Sequence, residues 1–139
     1  PELARSSIQL REQYTPGLPR LLADPKLLKQ AILNIILNAQ QAMPQGGELF
    51  LRTSAAAGQV VIEIIDTGPG IPENARDKVF DVFFSTKKEG SGLGLAVTRR
   101  IVEQHGGTVT FQSEPRKGTD FIIRIPACEC GKPPDDPKQ

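Results

Sequence analysis

Asp24-Pro25-Lys26-Leu-Leu-Lys-Gln-Ala-Ile-Leu-Asn-Ile-Ile-Leu-Asn-Ala-Gln-Gln-Ala-Met43 is followed by Pro44 and Gly46-Gly47, and reads as one long helix. A carboxylate at the N-cap and a proline in the first helical position open it, because both suit the unpaired amides of a first turn. Pro44 and the glycine pair stop it. Apolar residues occupy most of its circumference, which predicts heavy burial. Through them runs a polar stripe, Gln30, Asn34, Asn38 and Gln41, spaced to share one face. Buried amides need partners. The stripe is either satisfied by neighbouring loops and solvent, or it walls a cleft where an amide oxygen meets a hydrated Mg²⁺ carrying phosphates.

Outward from this helix, residues 7–13 alternate and predict a strand, and residues 20–23 a second, short one. Residues 48–55 and 59–66 predict two strands joined at Gly58, and residues 72–79 a short helix. A long glycine- and lysine-bearing connection, 80–92, precedes a helix over 93–104 that ends at Gly106-Gly107. Residues 109–113 and 119–125 predict a closing hairpin. Strands cluster in pairs rather than alternating with helices. The expected fold is therefore α+β: a mixed, mostly antiparallel sheet covered on one face by about three helices, in residues 1–126. Residues 127–139 lack apolar side chains apart from Ala127, Cys128 and Cys130 and are expected to be a disordered tail.

With 139 residues, one domain with its own core is the natural reading. Seventeen basic and 16 acidic side chains give a net charge of +1, so bulk electrostatics predict neither nucleic acid nor an anionic membrane as partner. No apolar run is long enough to span a bilayer. Two cysteines one residue apart do not staple a fold, and a reducing, cytoplasmic setting is the simplest expectation. One histidine leaves a histidine-rich zinc site or a catalytic triad without parts. His105 itself sits at a helix end, where an imidazole favours the dipole.

Two glycine-rich segments stand beside helices. Asp66-Thr-Gly-Pro-Gly-Ile71 follows the strand Val60-Val-Ile-Glu-Ile-Ile65. Its glycines are either a simple turn or an approach for a flat ring, with Asp66 as the acceptor for an exocyclic amine. Gly90-Ser-Gly-Leu-Gly-Leu95 opens a helix. Free amides there suit phosphate, although a hinge is the plainer alternative. It matches neither a Walker A loop nor the dinucleotide fingerprint. Just upstream, Ser85-Thr-Lys-Lys88 offers Lys87 or Lys88 as a mobile charge for a terminal phosphate, or as solvated surface.

Taken together, the pieces resemble the catalytic domain of sensor histidine kinases, within the ATPase superfamily shared with DNA gyrase, MutL and the ninety-kilodalton heat-shock chaperone. Asn34-Ile-Ile-Leu-Asn-Ala39 resembles the N box, Asp66-Thr-Gly-Pro-Gly70 the G1 box, Phe80-Asp-Val-Phe-Phe84 the F box and Gly90-Ser-Gly-Leu-Gly94 the G2 box. Gly118-Thr119 before Phe121 resembles the final motif, whose threonine helps hold adenine, often through water. Asn38-Ala-Gln-Gln-Ala-Met43 and Phe84-Ser-Thr-Lys87 are similar to the nitrogen-regulatory type.

The resemblance implies a two-layer α/β sandwich holding ATP between the N-box helix and a mobile lid over residues 84–92. It implies that Asn38 coordinates Mg²⁺ with Asn34 nearby, and that Asp66 bonds the adenine amine. Gly68, Gly70, Ile71 and Thr119 are expected around the base, Gln41 and Ala42 along the helix, and Phe80 of the F box among the nucleotide-binding residues. Thr86, Lys87, Gly90, Ser91, Gly92, Leu93, Gly94 and Leu95 are expected around the phosphates. Many members carry a basic residue at the position of Gln41, so phosphate contact is expected to shift to Lys87. An aromatic often found near adenine is replaced by Ala42.

In the ATPase members glutamate stands at the position of Asn34 and activates water; an amide accepts no proton at neutral pH. Asn34 and Lys87 are therefore the residues expected to serve phosphoryl transfer rather than hydrolysis. The implied acceptor is a histidine on a separate helical dimerisation domain of the same protein, with a cognate response regulator downstream. A serine kinase of the anti-sigma-factor type and a degenerate nucleotide-binding module are the alternatives.

Overall fold

The computed structural model describes residues 7–81, 94–114 and 116–127. Five strands form one sheet in the order β1-β2-β3-β5-β4: β1 Ile8–Tyr14, β2 Gly47–Ala56, β3 Gln59–Asp66, β4 Thr108–Glu114 and β5 Gly118–Pro126. The pairs β2–β3, β3–β5 and β4–β5 are antiparallel, while β1 and β2 are parallel. Parallel neighbours need a crossover, and helix α1, Pro25–Ala42, lies in that connection. Helix α2 is Gly94–Gln104, and Glu73–Lys78 is a 3₁₀ helix rather than a full α-turn element. Residues 20–23 form no strand: Leu21 packs on the core while Leu22 stands in solvent, so their alternation anchors a loop.

Side chains alternate across the sheet. Leu49, Ile64, Phe121, Ile123, Ile125 and Val109 share the face that meets the helices, and all are buried. Each such side chain removed from water contributes about 1.5–3 kcal/mol. Phe80, Phe111 and Phe121 close one side of this core, with ring centroids 5.9–6.2 Å apart.

α1 is less buried than its composition suggests. Only Ala31, Ile35 and Ala39 are fully enclosed along the helix, while Leu33 is 41% and Leu37 50% exposed. A two-layer sandwich covers a helix from one side only, so the opposite side remains open however apolar it is. α2 runs antiparallel to α1: Asn34 meets Gly94, Ala31 meets Thr98, and the backbone of Asp24 meets His105. The Thr98 hydroxyl donates to the Ala31 carbonyl at 3.0 Å inside this contact.

Asp24 caps α1, its carboxylate accepting from Lys26 N at 2.9 Å and Leu27 N at 3.3 Å; such a cap contributes about 1 kcal/mol. His105 does more than sit at a helix end. Its Nδ1 donates to Ile101 O at 2.7 Å and its Nε2 accepts from Asp24 N at 3.0 Å, a tautomer assigned from these partners. It ties the start of α1 to the end of α2.

The other face of the sheet carries Arg52, Glu63, Asp120 and Arg124 on three adjacent strands. Half-burial of Asp120, then its hydrogen bond to Glu63 and the charge of Glu63, raise its pKa from 3.8 to about 7; Arg52 and Arg124 oppose the rise. The folded state thus holds this proton more tightly than the unfolded chain. Stability from it is full below the ordinary carboxylate range and is lost as pH climbs through about 7. Solvent screening keeps the effect small. Asp120→Asn is expected to raise the melting temperature at pH 8 by about 3 °C, near what 1 kcal/mol does in a domain of this size, and to change little at pH 5. Thermal melts at both pH values check this, and an equal shift at each would contradict it.

Candidate functional site

The polar stripe of α1 divides by depth. Gln30 and Gln41 are exposed, whereas Asn34 and Asn38 are half-buried. Gln30 Nε2 donates to Asn34 Oδ1 at 2.8 Å, and Asn34 Nδ2 donates to the Gly94 carbonyl at 3.2 Å. The amide of Asn34 is thereby fixed in orientation at the first residue of α2. Gly94 lies so near that a Cβ on it would sit 3.7 Å from Asn34 Cβ. Its neighbour Leu95 packs against the core.

Just over two turns further along α1, Ala42 and the capping residue Met43 meet the loop after β3. A Cβ at Gly68 would stand 3.2 Å from the Ala42 carbonyl, 3.3 Å from Met43 Cγ and 3.1 Å from Asp66 Oδ1. Gly68 N donates to that same carboxylate oxygen at 2.9 Å, folding the loop back on the strand end. Thr67 closes the junction: its hydroxyl accepts from Glu48 N at 3.0 Å and lies 3.6 Å from Met43 Sδ. Asp66, only 4% exposed, is therefore a carboxylate held at the dry end of the sheet, beside the C-terminal half of α1.

The closing hairpin supplies the opposite wall. Register places Leu49, Asp66, Thr119 and Ser113 in one row across four strands, with Thr119 6% exposed. Gly118 adopts φ +105°, and a Cβ there would be 2.0 Å from the Asp66 carbonyl oxygen, so no other residue fits without moving a strand. Gly70 and Ile71 lie against Ser113, whose hydroxyl accepts from Ile71 N at 2.7 Å. Arg76, from the 3₁₀ helix, donates to the Ser113 carbonyl at 2.7 Å.

The residues singled out from the sequence fall into two groups along α1: Asn34 with Gly94 and its neighbour Leu95, and Ala42 with Asp66, Gly68, Gly70, Ile71 and Thr119. Asn38 and Gln41 lie on the same stretch of α1. Phe80 is committed to the aromatic cluster, with the Arg99 guanidinium 5.9 Å from its ring centre. Thr86, Lys87, Gly90, Ser91, Gly92 and Leu93 lie outside the described residues, as do the lid and, Ala127 apart, the C-terminal tail. Ala127 N donates to the Gly58 carbonyl at 2.9 Å. Among the described residues no three of His, Cys, Asp and Glu gather to hold a metal. The amide oxygen of Asn38 is a hard donor of the kind Mg²⁺ accepts, and a single protein oxygen suffices when the nucleotide supplies others.

Sequence reasoning passed over Ser113, Thr67 and Arg76. Ser113 was within reach, since closing the hairpin with Glu114 opposite Gly118 sets Ser113 opposite Thr119. Thr67 and Arg76 act through contacts that no local pattern announces.

Residues 23–129 match the family described as histidine kinase-, DNA gyrase B- and HSP90-like ATPase. Sensor histidine kinase ZraS of Escherichia coli K12 is 44% identical over 119 residues, 86% of this chain and 26% of ZraS. The sensory histidine kinase/phosphatase NtrB of Azospirillum brasilense is 36% identical over 146 residues, 94% of this chain and 36% of NtrB. The chain thus spans between about a quarter and somewhat over a third of these relatives. Among solved structures, full-length ShkA in complex with AMPPNP superposes with a TM-score of 0.81 at 34% identity, over 91% of this chain and 27% of that one. The catalytic domain of histidine kinase ThkA gives 0.79 at 30% identity, over 91% and 83%. With the boxes in family order, and with Gly94 and Gly68 set against the helix that carries Asn34, the chain belongs to the histidine kinase-, DNA gyrase B- and HSP90-like ATPase family.

Proposed function

We propose that this chain is the ATP-binding catalytic module of a sensor histidine kinase, passing the γ-phosphate of ATP to a histidine on a separate helical dimerisation domain of its parent protein. The observation that carries the reading is the double contact of α1. Its middle holds the start of α2 through Asn34 and Gly94, and its end holds the Asp66 loop through Ala42 and Gly68. A nucleotide lying along the helix would have its base at the second contact and its phosphates at the first. ShkA, whose fold this chain shares, is complexed with AMPPNP, an ATP analogue, which supports a nucleotide as ligand.

In this reading Asp66 accepts the adenine amine, the loop of Gly68, Gly70 and Ile71 approaches the ring, and Thr119 serves its polar edge. Ala42 and Leu95 supply apolar surroundings, Phe80 supports them from within the aromatic cluster, and Gln41 lies at the exposed rim. Gly94 with Gly90, Ser91, Gly92 and Leu93 offers backbone amides to the phosphates, and Lys87 with Thr86 reaches their end. Asn38 would hold Mg²⁺, which when bound neutralises phosphate charge. Asn34, already hydrogen-bonded to Gln30 and Gly94, orients without removing a proton from water, so ATP persists for the histidine acceptor. The reaction then rests on positioning and charge neutralisation. The parent works on the cytosolic side and hands its phosphoryl group to a response regulator.

Three outcomes test this. Mixed with the parent's helical domain and γ-labelled ATP, the wild-type chain should yield acid-labile phosphohistidine. Asn38→Ala should lower that transfer at least about 100-fold, the scale on which electrostatic contacts to reacting phosphates act; undiminished transfer removes Asn38 from the site. Asp66→Asn should weaken ADP by about tenfold or more while leaving GDP nearly unchanged in calorimetry. Equal losses for both would count against its contact with the base.

A further inference from the structure

We propose that Ser113 is a positioning residue for base selection, setting which way the hydroxyl of Thr119 points its proton. This deepens the nucleotide reading above and rests on it.

The Ser113 hydroxyl sits among three groups at hydrogen-bond distance. It accepts from Ile71 N at 2.7 Å, lies 3.1 Å from the Gly118 carbonyl, and lies 3.2 Å from Thr119 Oγ1. A serine hydroxyl has one proton and two lone pairs. Ile71 occupies one lone pair, and two acceptors compete for the single proton. If it goes to Gly118 O, the second lone pair of Ser113 receives the proton of Thr119, and Thr119 presents only lone pairs elsewhere. If Ser113 donates to Thr119 Oγ1, the proton of Thr119 turns away from Ser113 into the cleft.

These two states suit different bases. Adenine offers an acceptor, N1, next to its donor amine; guanine offers a donor, N1–H, next to an acceptor, O6. Asp66 stands directly opposite Thr119 across the β3–β5 pair and is an acceptor when ionised. An acceptor at Asp66 with a donor at Thr119 in direct contact with the base complements adenine's amine and N1 and opposes guanine at both atoms. The state in which Ser113 donates to Thr119 therefore selects adenine. Because Thr119 is buried, a wrongly turned hydroxyl there has few alternative partners, which makes the choice costly.

Ser113 is also held firmly enough to act this way. Its carbonyl takes the Arg76 guanidinium at 2.7 Å, and its hydroxyl anchors the loop that carries Gly70 and Ile71. One side chain thus couples the position of the loop under the base to the polarity of the hydroxyl at its edge.

The test is calorimetry of ADP and IDP, whose base carries guanine's N1–H and O6, with wild type, Ser113→Ala and Ser113→Thr in magnesium buffer. Thermal melts establish that each variant is folded. Ser113→Ala should weaken ADP about tenfold and IDP little, shrinking the ADP/IDP ratio by about that factor, and Ser113→Thr should restore the ratio. Proportional losses for the two nucleotides, an unchanged ratio, or failure of Ser113→Thr to rescue would overturn the proposal and leave Ser113 as loop packing. If Ser113→Ala proves unfolded, Ser113→Cys replaces it: the thiol keeps the shape but is a weak donor, so the ADP/IDP ratio should shrink, and an unchanged ratio overturns the proposal. Absence of ADP binding by the wild type would instead sink the nucleotide reading itself.

Discussion

Everything at the functional end of this molecule depends on one backbone-to-backbone contact, where β5 begins beside the end of β3. Gly118 lies so close to the Asp66 carbonyl that any side chain there would occupy the same space. That proximity is what brings Thr119 level with Asp66 and allows Ser113 to reach the loop beyond it. A second close approach, Gly68 against the Ala42 carbonyl, docks the same loop onto α1. The glycines are thus spent on drawing three chain segments together, and the polar groups between them inherit their geometry from that closeness.

α1 serves both layers. Its buried residues, Ala31, Ile35 and Ala39, recur every four positions and face the core, and the two alanines let neighbouring backbone come near. Thr98 exploits this by reaching the Ala31 carbonyl directly. Asn34 lies one turn along from Ala31 and reaches Gly94 in the same way. The helix pair is therefore aligned by hydrogen bonds at three levels, from His105 at one end to Asn34 at the other. Apolar packing alone would allow the helices to slide, whereas directional bonds fix their offset, and with it the distance from α2's first residue to the Asp66 loop.

Much of this was legible in the sequence because it is local. The proline-capped start of α1, the alternation of β2 and β3, the turn at Gly58 and the closing hairpin each follow from a few adjacent residues, and the order of glycine loops carried the family. What escaped depends on distant partners. The parallel pairing of β1 with β2 follows from a crossover, not from β1's own pattern, whose residues after Ile8 are all exposed. The open side of α1 was hidden because Leu33 and Leu37 look like core residues, and only the two-layer arrangement leaves them outside. His105 was read as favouring a helix dipole, while its second nitrogen meets a backbone amide 81 positions away. The acid pair of Glu63 and Asp120 appears only once β3 and β5 are in register.

The placement of buried polar groups bears on which end of the sheet suits the proposed ligand. Among the described residues Asp66, Thr98 and Thr119 are the polar side chains that are fully enclosed. Burying such groups is unfavourable unless each finds a partner. Thr98 finds one in helix backbone, deep between α1 and α2, and its role ends in packing. Asp66 and Thr119 instead sit side by side at the sheet's end, partnered partly by mobile-proton groups and loop amides that can trade one acceptor for another. A hydroxyl pair at the surface of a core adds little to packing. It suits recognition better, because a proton given by Ser113 to Thr119 leaves the proton of Thr119 for a ligand's acceptor edge. That asymmetry, more than the presence of glycines, distinguishes this end of the sheet as the place where a base would be read.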